Sequence, residues 1–331
     1  MSDPTPTLSE STTRLFSAAE SGDAARVREL LAQGADAGAR NARMQETALI
    51  LAASSGSVEC VEALFPFSDP EARDFVGYRA LEQALRDGRE ECARWLMDKT
   101  DLASASPDGC TALHHALNAN QPILIEALID RCDLLARDKA GLDAFLVAAY
   151  RGQDKPLQAI GARLKELPRD LQGSDALMLA ARGEAHTGAP GAAVDWLMRT
   201  CDPLAANAQG NTALMEAARC GQTEFVKKLI GVSRVDQRNR RGQTALSFAL
   251  IHQKWDCVDV LAEAWPDETH LGALNSYPQA KNLPRLNARR EAKAIRQAMG
   301  FGDAQKSNPT PSRAERAADE SAKPSPRKNR L

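Results

Sequence analysis

The residues with most to offer chemically are arginines. Arg86, Arg151, Arg182 and Arg219 each fall within two residues of an Ala-Leu or Ala-Ala pair, and Tyr150 stands beside Arg151. His252 holds the matching place after Ala249-Leu250, and Arg238, Arg240 and Arg241 crowd a single turn. A guanidinium grips a carboxylate or a phosphate through two parallel hydrogen bonds. Tyr and Arg are also the types that dominate the tightest parts of interfaces.

Other chemistry finds no support. There is no HExxH, no GxSxG, no dinucleotide fingerprint and no EF-hand loop. His114 and His115 are adjacent, so on a helix they point to different sides. Pairs such as Glu90-Glu91 fall on solvated helix faces. The chain has 7 cysteines and no CxxC pair. Cys60, Cys92 and Cys257 share one place, where other segments carry Leu124, Ala193 and Phe225. Small core hydrophobes in a reducing compartment are the expected role, ahead of metal ligation or redox sensing. The expectation is therefore no catalytic residue, no metal site and no cofactor.

The formal net charge of −2 predicts no bulk preference for nucleic acid or membrane. The charge is uneven: residues 281–331 hold 13 Lys/Arg against 5 Asp/Glu, and the rest is acidic. No run of about 18 apolar residues exists to span a membrane. The opening MSDPTPTLSESTTR is polar and lacks a signal-peptide core. A cytoplasmic location is expected.

The elements that position the arginines are short helices in pairs. In Thr111 to Asp133, Thr111 suits an N-cap, and Ala112, Leu113, Ala116 and Leu117 form one apolar stripe. Asn118-Ala119-Asn120 breaks the helix, and Pro122 opens a second one bearing Ile125, Leu128 and Ile129. The unit recurs. Ala112 has counterparts at Ala48, Ala80, Ala144, Ala176, Ala213 and Ala245, in steps of 32 residues with a single step of 37. Thr or Asp precedes the alanine at Thr47, Asp143, Asp175, Thr212 and Thr244. Arg79 is the exception and predicts a locally weaker third repeat. Gly22, Gly56, Gly88, Gly152 and Gly221 are expected to end the first helices, with Asn120 in that slot of the fourth. A fixed period of this size means stacked repeats.

The repeat resembles the ankyrin repeat. The likeness is carried by Thr111-Ala112-Leu113-His114 with Ala116, by Gly34-Ala35-Asp36, and by Thr47-Ala48-Leu49, Thr212-Ala213-Leu214 and Thr244-Ala245-Leu246. Ala stands where the family favours Pro after the Thr, and the family's His survives only as His114. The resemblance implies an all-α solenoid of about eight helix-turn-helix repeats with short hairpin loops over 14–262. It also implies binding through hairpin tips and the exposed side of the first helices. On that basis Arg86, Tyr150, Arg151, Arg182, Arg219 and His252 line a concave strip, and Arg238, Arg240 and Arg241 stand at a tip. The four arginines are expected in one ladder, about 10 Å apart as helices pack.

The irregular parts are few. The segment 183–191 adds five residues between the helices of the sixth repeat and reads as a surface loop, with His186 at its tip in a contact-loop reading. Residues 1–13 and 303–331 read as disordered, and 263–302 as a helical extension or cap containing a basic helix over 286–299. The expected function is a non-catalytic scaffold or adaptor, monomeric, binding another protein with an acidic surface or segment. The alternatives are nucleic-acid or other polyanion binding by the arginines and the basic tail, and a docking module of an enzyme.

Overall fold

The computed structural model describes residues 9–183 and 191–265. They form sixteen α-helices in eight antiparallel pairs. These are α1 (Glu10–Ser21) with α2 (Ala24–Ala32), α3 (Ala48–Ser55) with α4 (Val58–Leu64), and α5 (Ala80–Arg86) with α6 (Glu90–Met97). They continue as α7 (Ala112–Asn118) with α8 (Pro122–Ile129), α9 (Ala144–Tyr150) with α10 (Asp154–Gly161), and α11 (Ala176–Arg182) with α12 (Ala192–Thr200). The last are α13 (Ala213–Cys220) with α14 (Thr223–Ile230), and α15 (Ala245–Ile251) with α16 (Trp255–Ala264). Each first helix packs on its own second helix and on the first helices before and after it. The result is a one-dimensional stack, as the repeat period requires.

Helices this short are not stable alone. Their stability comes from burial. Leu49, Leu81, Leu113, Phe145, Leu177 and Leu214 occupy one place in successive first helices and are at most 1 % exposed. Small residues such as Ala52, Ala84, Ala116, Ala148, Ala180 and Ala217 let those helices approach closely. Cys60, Cys92 and Cys257 are fully buried and unpaired. Burial pushes the Cys92 thiol up to about 11, so it stays a protonated core residue.

The caps follow the sequence reading. Thr47, Asp143, Asp175, Thr212 and Thr244 each accept a hydrogen bond from the backbone N–H three residues on. Gly22, Gly56 and Gly221 close first helices in the left-handed conformation, and Asn120 takes the same conformation at φ 54°. Pro156 lies in the first turn of α10, and Pro122 opens α8.

Three expectations change. The first helix begins at Glu10, ahead of the boundary at residue 14, because Ser9 caps it by accepting from the Thr12 N–H at 3.2 Å. The last helix runs to Ala264 rather than ending at 262. The third repeat does not lack its cap interaction; it rebuilds it. Arg79 and Glu82 are both 0 % exposed. Glu82 reaches back to accept from the Arg79 backbone N–H at 2.8 Å and from its Nε at 2.9 Å. The guanidinium also pairs with Glu71 in the preceding hairpin and donates to the carbonyls of Asp101 and Ser104 in the next, at 3.0 and 3.3 Å. In the fourth repeat Thr111 and His114 hold the same two places. His114 Nδ1 accepts from Thr111, and its Nε2 donates to the Leu142 carbonyl at 3.1 Å, also one hairpin on. A carbonyl only accepts, so the proton sits on Nε2.

Adjacent hairpins are joined tip to tip. The N–H groups of Phe75, Lys139, Ala208 and Arg240 donate to the carbonyls of Met44, Asp108, Gln172 and Gln209 in the hairpin before, at 2.7–3.0 Å. Pro107 has no N–H to continue this ladder. Arg73 supplies other ties at that junction, donating to Ser104 Oγ at 2.8 Å and to the Ala105 carbonyl at 2.9 Å. Glycine takes positive φ in six hairpins, Gly77 among them, and in the second repeat Gln45 does so at φ 58°.

The insertion core 184–190, with His186, lies outside the described residues. So do residues 1–8, the expected basic helix over 286–299 and the basic tail.

Candidate functional site

The first helices end in two rows, partly exposed and partly half-buried. Counting from the leading alanine, Arg86, Asn118, Tyr150, Arg182, Arg219 and Ile251 are each the seventh residue of α5, α7, α9, α11, α13 and α15. Arg151 and His252 come one residue later, as the C-caps of α9 and α15. The expected ladder of four is therefore split. Arg86, Arg182 and Arg219 share a row with Tyr150, and Arg151 belongs to the next row.

The arginines differ in what engages them. Arg86 stacks over the Tyr78 ring at 4.8 Å and lies 3.7 Å from Asp87, whose other oxygen accepts from Ser54 and Gln83 at 2.7 Å. Arg219 pairs with the buried Glu216 at 2.9 Å. Arg151 is exposed and donates through Nε and Nη2 to Asn118 Oδ1, at 3.1 and 3.0 Å, and lies over the Tyr150 ring at 5.9 Å. No hydrogen bond or ion pair engages the Arg182 guanidinium among the described residues. His252 is exposed and stacks on Phe248, ring centres 6.4 Å apart.

At the eighth hairpin, Arg238 turns its guanidinium inward and donates to the Gly242 carbonyl at 2.9 Å. Arg73 and Arg169 do the same to Gly77 and Gly173 in their own hairpins. This role is internal, so Arg238 braces the turn while Arg240 and Arg241 remain exposed at it.

Tyr78 was missed by the sequence reading. It bridges Arg86 and His115, meeting the imidazole edge-on at 5.4 Å. Aligning the residue two before each leading alanine exposes it as the one aromatic of that row. His115 is 8 % exposed, and its Nε2 has no hydrogen-bond partner among the described residues. Burial lowers its pKa, with Glu82 acting in the opposite direction.

Between the fourth and fifth repeats lies a groove of about 550 Å³, lined by Asn118, Asn120, Tyr150, Arg151, Gln153 and Lys155, among others. It opens where first helices turn into second helices. A seven-residue helix, about 10 Å long, separates that edge from the hairpins. Gly183, at the end of α11, packs against the end of α9: a Cβ there would lie 1.9 Å from the Tyr150 carbonyl oxygen, so only glycine fits.

No group of His, Cys, Asp and Glu among the described residues could hold a metal ion, and no described helix is long and apolar enough to cross a membrane. A family model described as ankyrin repeats in three copies matches residues 15–106 and 177–270. A second, described as the ankyrin repeat, matches 108–139. Comparison with curated proteins gives no match.

Proposed function

This chain belongs to the ankyrin-repeat family, whose repeats are generally protein–protein interaction modules, and from that premise we propose that it is a non-catalytic scaffold or adaptor for an acidic protein partner. The partner is held along the concave face and the hairpin tips. The observation that carries this reading is the seventh-residue row, where Arg86, Asn118, Tyr150, Arg182 and Arg219 follow one another in helices that pack side by side. Arg182 contributes most, since no carboxylate among the described residues engages it. Arg86 and Arg219 contribute less, because Asp87 and Glu216 already offset their charge. Arg240, Arg241 and His252 extend the surface at the eighth repeat. The protein acts as a monomer in the cytoplasm, where its seven unpaired thiols persist.

Partner capture by the full chain tests this. The intact protein is compared with Arg86→Glu/Arg182→Glu/Arg219→Glu at two ionic strengths. Capture that weakens with salt and is lost in the triple variant supports an acidic partner. Capture indifferent to both overturns it. A polyanion reading predicts instead that duplex DNA of any sequence binds with steep salt dependence.

A further inference from the structure

We propose that the groove between the fourth and fifth repeats is a carboxylate pocket that anchors an acidic, extended peptide segment of the partner. This deepens, and rests on, the reading that the partner is an acidic protein. It adds a second contact at the edge of the array away from the hairpins.

The groove presents donors. Asn118 and Asn120 each spend their amide oxygen internally, accepting from Arg151 and from Gln153 Nε2, the latter at 3.0 Å. Among the described residues, their NH₂ groups are left for a ligand. Arg151 keeps Nη1 after Nε and Nη2 are bound, and the exposed Lys155 makes no ion pair among the described residues. The single acid in the lining, Asp154, is occupied: Oδ1 accepts from the Ala193 N–H at 2.9 Å, at the start of α12. Two cations against one carboxylate leave a local charge of +1. That matches a carboxylate better than a phosphate, which carries about −1.5 to −2 at neutral pH.

The asparagine tether decides the geometry. Asn118 is neutral, so it fixes the guanidinium without cancelling its charge. Asp87 and Glu216 do the opposite for Arg86 and Arg219. Arg151 is thus held in place and still charged, the state best suited to gripping an incoming acid.

A peptide fits better than a small anion. Gln153 is 9 % exposed, lines the groove, and its Oε1 is buried with no hydrogen-bond partner. Its Nε2 donates to the Leu117 carbonyl at 2.8 Å and to Asn120 Oδ1 at 3.0 Å, which fixes the groove floor against the end of the first helix. Leu117, Pro122 and Pro156 give the groove apolar walls for the chain between its acids.

The test uses the full-length protein and a fluorescently labelled oligoglutamate peptide, read by anisotropy. Arg151→Gln/Lys155→Gln removes two charges at the groove. Arg240→Gln/Arg241→Gln removes two at the hairpin tip. Asn118→Leu leaves the charge unchanged and frees the guanidinium. The groove pair and Asn118→Leu are each expected to weaken binding by about tenfold, and the tip pair by less than about twofold. All of these side chains are exposed, and circular dichroism checks that the helices persist. Equal losses for groove and tip pairs would reduce the effect to long-range charge and overturn the pocket. So would an unaffected Asn118→Leu, displacement of the peptide by inorganic phosphate at lower concentration than by acetate, or no peptide binding at all. Partner capture that depends on Arg86, Arg182 and Arg219 survives each of these failures, so the two readings fall separately.

Discussion

Glu82 encloses the guanidinium of Arg79 where neither side chain meets solvent, and the pair occupies the two places that Thr111 and His114 occupy one repeat later. Both pairs solve the same problem. Each satisfies the start of a first helix and ties it to the hairpin that follows. One does so with charges, the other with a neutral imidazole.

Breaking the charged pair from one side is expected to be costly. Glu82→Ala leaves a buried guanidinium short of its main partner and should destabilise the protein by about 3–5 kcal/mol. Arg79→Thr/Glu82→His transplants the fourth-repeat solution and should recover most of that loss. Urea denaturation of the two variants and the parent checks both statements.

Gln45 pays for a conformation that glycine adopts freely in six other hairpins. Gln45→Gly should stabilise the array by about 0.5–1 kcal/mol, since a left-handed residue with a Cβ costs about 1–2 and glycine loses part of that in chain entropy. A rise in Tm is the readout. The same change at Gln33, which has a negative φ of −81°, should lower it.

Asp143 caps α9 with Oδ1 while its Oδ2 is buried without a partner, and burial raises its pKa above the ordinary 3.8. The folded state therefore holds the proton more tightly than the unfolded chain. Its contribution is full below 3.8 and is lost as pH rises through the higher folded value. Asp143→Thr keeps the cap and removes the buried charge. It should gain about 1 kcal/mol at pH 7, and the gain should vanish below the unfolded value. Melts at pH 7 and at pH 3 test the sign.

His115 gives a slope in acid of the other origin. Its folded pKa is lowered from 6.5 by burial, while Glu82 raises it and His114, Arg79 and Arg86 lower it further. Below 6.5 the unfolded chain takes up the proton first, so stability falls with pH until the folded group titrates. His115→Phe preserves an aromatic edge against Tyr78 and should flatten the loss between neutral and mildly acid pH.

Partner association should separate surface from surface. Arg182→Glu is expected to weaken capture about tenfold at low salt and less at high salt. Arg28→Glu, on α2 of the first repeat, should change it little. Identical behaviour of the two variants would remove the concave row from the interface.

The parts legible in advance are those set by neighbours in the chain. A capping oxygen meets an N–H three residues on, and a turn glycine answers to its own φ, so Thr47, Asp143 and Gly77 could be read locally. The apolar stripe of the first helices and the buried Cys92 followed from periodicity. Arg79 could not be read this way. Its carbonyl partners are 22 and 25 residues away, in a hairpin that only stacking brings near. The split of Arg151 from Arg86, Arg182 and Arg219 was present in the numbering, but its consequence depends on Asn118, 33 residues earlier. The groove was invisible for the same reason, because it belongs to two repeats at once.

The Arg79 cluster also bears on how such an array can be copied and recombined. Most units here carry their cap and turn within themselves, so one could be duplicated, deleted or exchanged and still close its own helices. The third cannot be moved alone. Its arginine draws on Glu71 behind it and on the carbonyls of Asp101 and Ser104 ahead of it, so a transplanted copy would bury a cation among strangers. The hairpin of the next unit travels with it. In this chain the smallest heritable module around that position is two units rather than one.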